Sequence, residues 1–237
     1  CIRDSNATAL KWHTCAWLLL PVLIFLAGWM HWYAALPLML LTAAGLAPRK
    51  RKEPQTRDSL PAFPLFTRSS FLALAAFAAL MTLSGWGEWV NQHPDHIVRN
   101  ACLRELVASP WPVIFPDGNM LVYNTGFWLV PALAGKLAGL DAARVLVVLW
   151  GAWGLFLTWL WLCVFSGRRS LLLALLMAAF GSLLNFQCWL GLDLFRLHYF
   201  GTAEQIMCSA NASIPVLLFF IFLASGRMPL PLSLIHI

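Results

Sequence analysis

The chain has 237 residues, of which 60% are hydrophobic and 11% charged, with a net charge of +6 and a mean hydropathy of +0.73. A soluble domain carries about 25% charged and about 45 to 50% apolar residues, so this composition excludes a soluble globular enzyme. An excess of apolar surface also excludes disorder. The remaining class is all-α: a polytopic transmembrane helical protein.

In chain order, residues 14–29 and 33–47 are apolar runs near the lower limit of the roughly 17 to 25 residues that cross a bilayer. Met30, His31 and Trp32 between them read as an interfacial turn, so 14–47 is expected to form a transmembrane hairpin. The basic run Arg49, Lys50, Arg51 and Lys52 opens a loop over 48–69, which is expected to be cytoplasmic. A third span is expected at 71–86. An outer loop is expected over 88–141, polar from Glu88 to about Asn124 and broken by Pro94, Pro110, Pro112 and Pro116. Within this loop, 127–140 is apolar but short, and Gly135, Lys136 and Gly139 interrupt it. Further spans follow at 142–165, 171–190 and 213–224, with a polar loop over 191–211.

Charge sets the orientation. If 127–140 does not cross, Arg49, Lys50, Arg51, Lys52, Arg57, Arg68, Arg168, Arg169 and Arg227 all face one side, which the positive-inside rule makes the cytoplasm. The segment is therefore expected to lie in the outer interface. The same topology of about six spans puts Glu88, Asp95, Glu105, Asp117, Asp141, Asp193 and Glu204 outside, seven of the ten acids. Net positive charge gathered in short loops gives no reason to expect nucleic acid as a partner.

Six cysteines are scattered without a CxxC pair, and Cys15 and Cys163 fall inside apolar runs, where they read as small buried hydrophobes. His93 and His96 are spaced for one helix face, but Pro94 lies between them, so neither a metal nor another cofactor is expected. The chain begins with Cys1, and its end, 232–237, reads LSLIHI, which resembles a translated sequencing adapter. Those six residues are set apart from the fold, and a fragment is expected.

The chemistry concentrates in the two outer loops. In GWGEWVNQHPDHIVRNACLREL, residues 85–106, Asp95 follows Pro94 and is placed to cap a helix starting at His96. A carboxylate held at the lipid boundary can also act as a general base on a hydroxyl. Arg99 and Arg104 are candidates for phosphate, and Glu88 beside Trp89 reads as a plain interfacial residue.

This loop resembles the first outer-loop module of bacterial GT-C-type integral-membrane glycosyltransferases, over roughly residues 70 to 165. The resemblance lies in an Asp just beyond a span, a short helix DHIVRNACLREL, and the run PWPVIFPDGNMLVYNTGFWLVPALAGKLAGLDAARVLVVLWGAWGL. Two features depart from the family: its acid pair is replaced by Asp95-His96, and a hairpin precedes its usual first span. The resemblance implies transfer of a sugar from a polyprenyl-phosphate donor to a glycan, lipid or protein acceptor on the outer face of the bacterial cytoplasmic membrane. It makes Asp95 the catalytic base and the 127–140 helix the interfacial helix of the loop. His96, Arg99, Asn100, Arg196, His198 and Glu204 are then the candidate substrate-binding residues. Two non-catalytic classes compete: a transporter, which would carry ionisable residues inside its spans, and an envelope-assembly scaffold.

Overall fold

The computed structural model describes residues 2–46, 64–90, 92, 94–123, 125–179 and 202–224, and among them every regular element is an α-helix. The helices are α1 (Ile2–Trp29), α2 (Trp32–Leu46), α3 (Arg68–Leu83), α4 (Pro94–Ala108), α5 (Gly126–Ala138), α6 (Leu140–Ser166), α7 (Leu171–Ala179) and α8 (Thr202–Ala224). The only extended pairing among the described residues is an isolated antiparallel bridge between Ile114 and Met120. Among the described residues two stretches, Ala7–Trp29 and Leu140–Ser166, are long and apolar enough to cross a membrane. At about 1.5 Å per residue, the 27 residues of α6 reach past a hydrocarbon core of about 30 Å. Trp32–Ala44, Arg68–Leu83, Gly126–Ala138 and Ser209–Leu223 are apolar but shorter.

Among the described residues the helices fall where apolar runs are expected, with changes at their ends, and most of the expected basic loop at 48–69 lies outside them. The first helix extends back to Ile2, and Met30 and His31 form the turn into α2. The 127–140 segment ends at Ala138, and Gly139, at φ 91°, breaks the chain directly into α6. Of 171–190, only Leu171–Ala179 falls among the described residues. The polar loop at 191–211 is shorter than its composition implies, because α8 is already helical from Thr202, with a kink at Ser209 (φ −150°, ψ 39°).

The helix α6 is the centre of the bundle and packs against α1, α3, α5 and α8. Its small residues set how closely these partners approach. A Cβ on Gly151 would stand 2.2 Å from Met81 Cε of α3. One on Gly154 would stand 2.5 Å from Ile214 Cγ2 of α8 and 2.7 Å from Trp17 Cζ2 of α1. Trp17 has no room to retreat, since its Nε1 donates to the Trp150 carbonyl at 3.0 Å and its ring stacks on Trp150 at 5.1 Å. Gly154→Ala should therefore overpack this junction and lower the unfolding free energy in detergent by about 1 to 3 kcal/mol. An alanine variant within about 0.5 kcal/mol of the parent, the usual range for an uncrowded surface site, would contradict this packing.

Two polar groups deep in the bundle satisfy each other, as an apolar surrounding favours. Trp161 Nε1 donates to Thr14 Oγ1 at 2.9 Å, and that hydroxyl donates to the Leu10 carbonyl at 2.9 Å. Cys15 and Cys163 are buried free thiols.

At one end of the bundle, α3 stops in a turn that leads to α4. At the far end of α4, Lys136 of α5 donates to the carbonyls of Ser109 (2.5 Å) and Val107 (3.4 Å) and lies over the Trp111 ring. The lysine that interrupts the apolar run thus satisfies the C-terminal carbonyls of α4, which have no partner within their own helix. With α3 at one end and α5 at the other, α4 is fixed at both ends.

Candidate outer-loop site

The site starts from the turn that ends α3. Gly85, Gly87 and Glu88 have φ of 94°, 89° and 68°, a left-handed region open to glycine and costly for other residues. Three such residues within four reverse the chain sharply. The turn sends the Trp86 ring inward, where it is 1% exposed, and leaves the Glu88 side chain 8% exposed.

Two guanidinium groups meet the Glu88 carboxylate. Arg104 of α4 donates through Nε to Oε1 at 3.2 Å and through Nη2 to Oε2 at 2.5 Å, and Arg144 of α6 donates to the same Oε2. The other arm of Arg144 reaches Asp141 Oδ1 at 2.9 Å. Burial opposes ionisation of Glu88, but the hydrogen bonds and charges of Arg104 and Arg144 outweigh it and hold the carboxyl below its usual 4.5. A residue that reads in sequence as a simple interfacial acid is the hub joining the α3 turn, α4 and α6. Its signal in the sequence was the pair of glycines before it, since Gly-x-Gly-Glu marks a backbone that re-aims the next side chain.

Against Trp86 lies the inner face of α4. His96 is fully buried and meets the indole edge-on at 5.4 Å, while Trp128 stacks on its other side at 5.3 Å and Phe127 closes at 5.7 Å. Arg99 is 6% exposed, with its guanidinium carbon 5.7 Å from the Trp86 ring centre, a cation–π arrangement. Its Nη2 stands 3.7 Å from Asp95 Oδ2. Its Nε and Nη1 are buried with no hydrogen-bond acceptor.

Asp95 has a different position from the one expected. The helix α4 begins at Pro94, the first-position residue that helices favour, so Asp95 lies inside the first turn and is not the cap. Its side chain is 53% exposed. Asn100 Nδ2 donates to Gln92 Oε1 at 2.7 Å, and Gln92 Nε2 donates to the Gly85 carbonyl at 2.9 Å. Gln92, which did not stand out in the sequence, thereby ties α4 to the turn. Of the remaining candidates, His93, Asp193, Arg196 and His198 lie outside the described residues. Glu204 falls on α8, and its side chain lies outside them as well.

The outer side of α4 borders an open groove of about 650 Å³, formed by Val98, Ala101, Cys102 and Glu105 on one wall and Phe115, Met120, Leu121 and Tyr123 on the other. Asp95, Val98, Cys102 and Glu105 are spaced i, i+3, i+7 and i+10, which is one helix face. Asp95 therefore lies one turn before the largely apolar trough, on the helix face that lines it. Burial pushes the Cys102 thiol up to about 12, which leaves it protonated and inert beside the groove. Among the described residues no group of three or more His, Cys, Asp or Glu side chains could hold a metal ion. No family model, curated protein or solved structure matches this chain.

Proposed function

We propose that the chain is a six-span membrane glycosyltransferase of the GT-C kind, which moves a sugar from a polyprenyl-phosphate donor to an acceptor hydroxyl on the outer face of a bacterial cytoplasmic membrane. One observation carries the reading: a half-exposed carboxylate, Asp95, lies in the first turn of α4, one turn before Val98 and the apolar groove, and has the buried guanidinium of Arg99 behind it. An enzyme acting on a lipid-linked sugar needs these three parts together: a base, an anion-binding group and a trough for a hydrocarbon chain.

In this reading Asp95 accepts the proton of the acceptor hydroxyl as its oxygen attacks the anomeric carbon. The bond from that carbon to the phosphate oxygen breaks in the same step, with inversion, and polyprenyl phosphate leaves with the electron pair. The positive charge of Arg99 behind Asp95 favours the charge that develops on the leaving phosphate. Asn100, held by Gln92, lines the acceptor side, and His96 sets the angle of the Trp86 ring beneath Arg99. Arg196, His198 and Glu204 would complete the donor side from the second outer loop.

The experiment is a donor-consumption assay on membranes containing the chain, supplied with labelled polyprenyl-phosphate hexose and a mixed acceptor extract. Release of free polyprenyl phosphate above that from membranes lacking the chain is the expected result. No release with any hexose donor would overturn the reading.

A further inference from the structure

The end of α3 away from the outer-loop site holds a second charged cluster. Arg169, in the turn between α6 and α7, donates from Nη1 to Thr67 Oγ1 and from Nη2 to Ser70 Oγ, both at 2.9 Å, and from Nη2 to the Leu65 carbonyl at 3.3 Å. Its guanidinium lies 5.6 Å from the Trp159 ring centre. These bonds lock residues 65–70 against residues 168–171 and bring the exposed Arg68 and Arg168 to the same end of the bundle. The stretches 64–83 and 145–179 contain these three arginines and no acid, and none of the three forms an ion pair among the described residues. The Arg169 Nε is buried and has no acceptor.

Three arginines at one end of the bundle with no acid in the same stretches favour a counter-charge there. The surroundings say what kind. Phe66 (55% exposed), Phe71 (62%) and Leu172 (60%) flank the arginines with bare apolar surface. A soluble anion gains nothing from those side chains, whereas a lipid satisfies both halves, with phosphate on the guanidinium groups and acyl chains along Phe71 and Leu172. Arginine suits this place because its fork matches phosphate oxygens while its stem lies along apolar surface.

We infer that Arg68, Arg168 and Arg169 form a headgroup site for one anionic phospholipid at the cytoplasmic end of α3, held in shape by the bonds of Arg169 to Thr67 and Ser70. The inference rests on the membrane part of the proposed function and is independent of sugar transfer. The occupant is a membrane phosphate, not a free one.

The test is a thermal-shift titration of the purified full chain in detergent with phosphatidylglycerol, phosphatidylcholine or inorganic phosphate, read without any transfer assay. The expected result is at least a ten-fold tighter apparent affinity for phosphatidylglycerol than for phosphatidylcholine, with no stabilisation by inorganic phosphate. The double variant Arg68→Gln/Arg168→Gln alters only exposed side chains and leaves Arg169 in place. It should fold normally by circular dichroism and lose most of the preference. Equal affinity for the two lipids, an undiminished preference in the double variant, or equal stabilisation by inorganic phosphate would each overturn the headgroup site. A chain that responds to neither lipid overturns the membrane reading along with it.

Discussion

Glu88→Ala should lower the unfolding free energy of the chain by about 3 to 5 kcal/mol, the range for removing one partner of a buried ion pair. The carboxylate is 8% exposed and serves two arginines, so its loss removes a charge partner from both and leaves Arg144 with Asp141 alone. Arg144 is the costlier of the two. Its side chain is only 24% exposed and its Nε is already buried without an acceptor, whereas Arg104, at 55% exposed, regains water. Relief of the positive φ offsets little of this, since alanine is no better suited to φ 68° than glutamate. The pH dependence follows from the direction of the shift. The folded carboxyl titrates below the ordinary 4.5, so its contribution is complete above that value and is lost as pH falls through the lower folded value. Urea unfolding in detergent between pH 7 and pH 3 should show this loss in the parent, and Glu88→Gln should lack that component. An alanine variant as stable as the parent at pH 7 would remove Glu88 from its place as the hub.

Asp95→Asn should reduce sugar transfer by about 10²- to 10⁴-fold, the usual contribution of a positioned general base, without changing the membrane level of the protein. Stability is affected less than at Glu88 because the Asp95 side chain is 53% exposed, its contact with Arg99 is 3.7 Å long, and Arg99 keeps its place over the Trp86 ring. A role in folding alone would reverse this pattern, with the protein level falling and specific activity holding. Asp95→Glu keeps the charge but displaces it by one methylene, and it should retain a measurable fraction of the rate. The check is specific activity per mole of protein in membranes, with the level read by immunoblot. Full activity in Asp95→Asn would end its assignment as base.

The helices were readable because their signals are local. The breaks at Met30-His31 and at Gly139 and the long apolar run of α6 follow from hydropathy and from glycine, whereas the starts of α1 and α8, at Ile2 and Thr202, lie in polar sequence that hydropathy does not mark. The interior of the outer loop was not readable in this way. Lys136 looks like an interruption to an apolar run, but it caps a helix that ended 28 residues earlier in the chain, at Ala108 (136 − 108). Glu88, Arg104 and Arg144 converge across 56 residues of sequence, and no periodicity within one helix predicts that meeting. His96 and Arg99 were visible as polar residues near a carboxylate. Their spacing of three with Cys102 and Leu106 behind them also marks a buried helix face, and both side chains are on that face. Asp95 reads in sequence as the cap of a helix starting at His96, but Pro94 is itself a favoured first helical residue, so the helix starts one position before Asp95.

The most direct measurement is transfer in sided vesicles, with labelled donor and a membrane-impermeant acceptor added from outside to right-side-out and to inverted preparations of the same membranes. Because Asp95 and its groove are assigned to the outer face, right-side-out vesicles should turn over the donor and inverted ones should stay at background until permeabilised. Turnover confined to inverted vesicles, or turnover in right-side-out vesicles that Asp95→Asn leaves unchanged, would contradict an outer-face transferase working through Asp95.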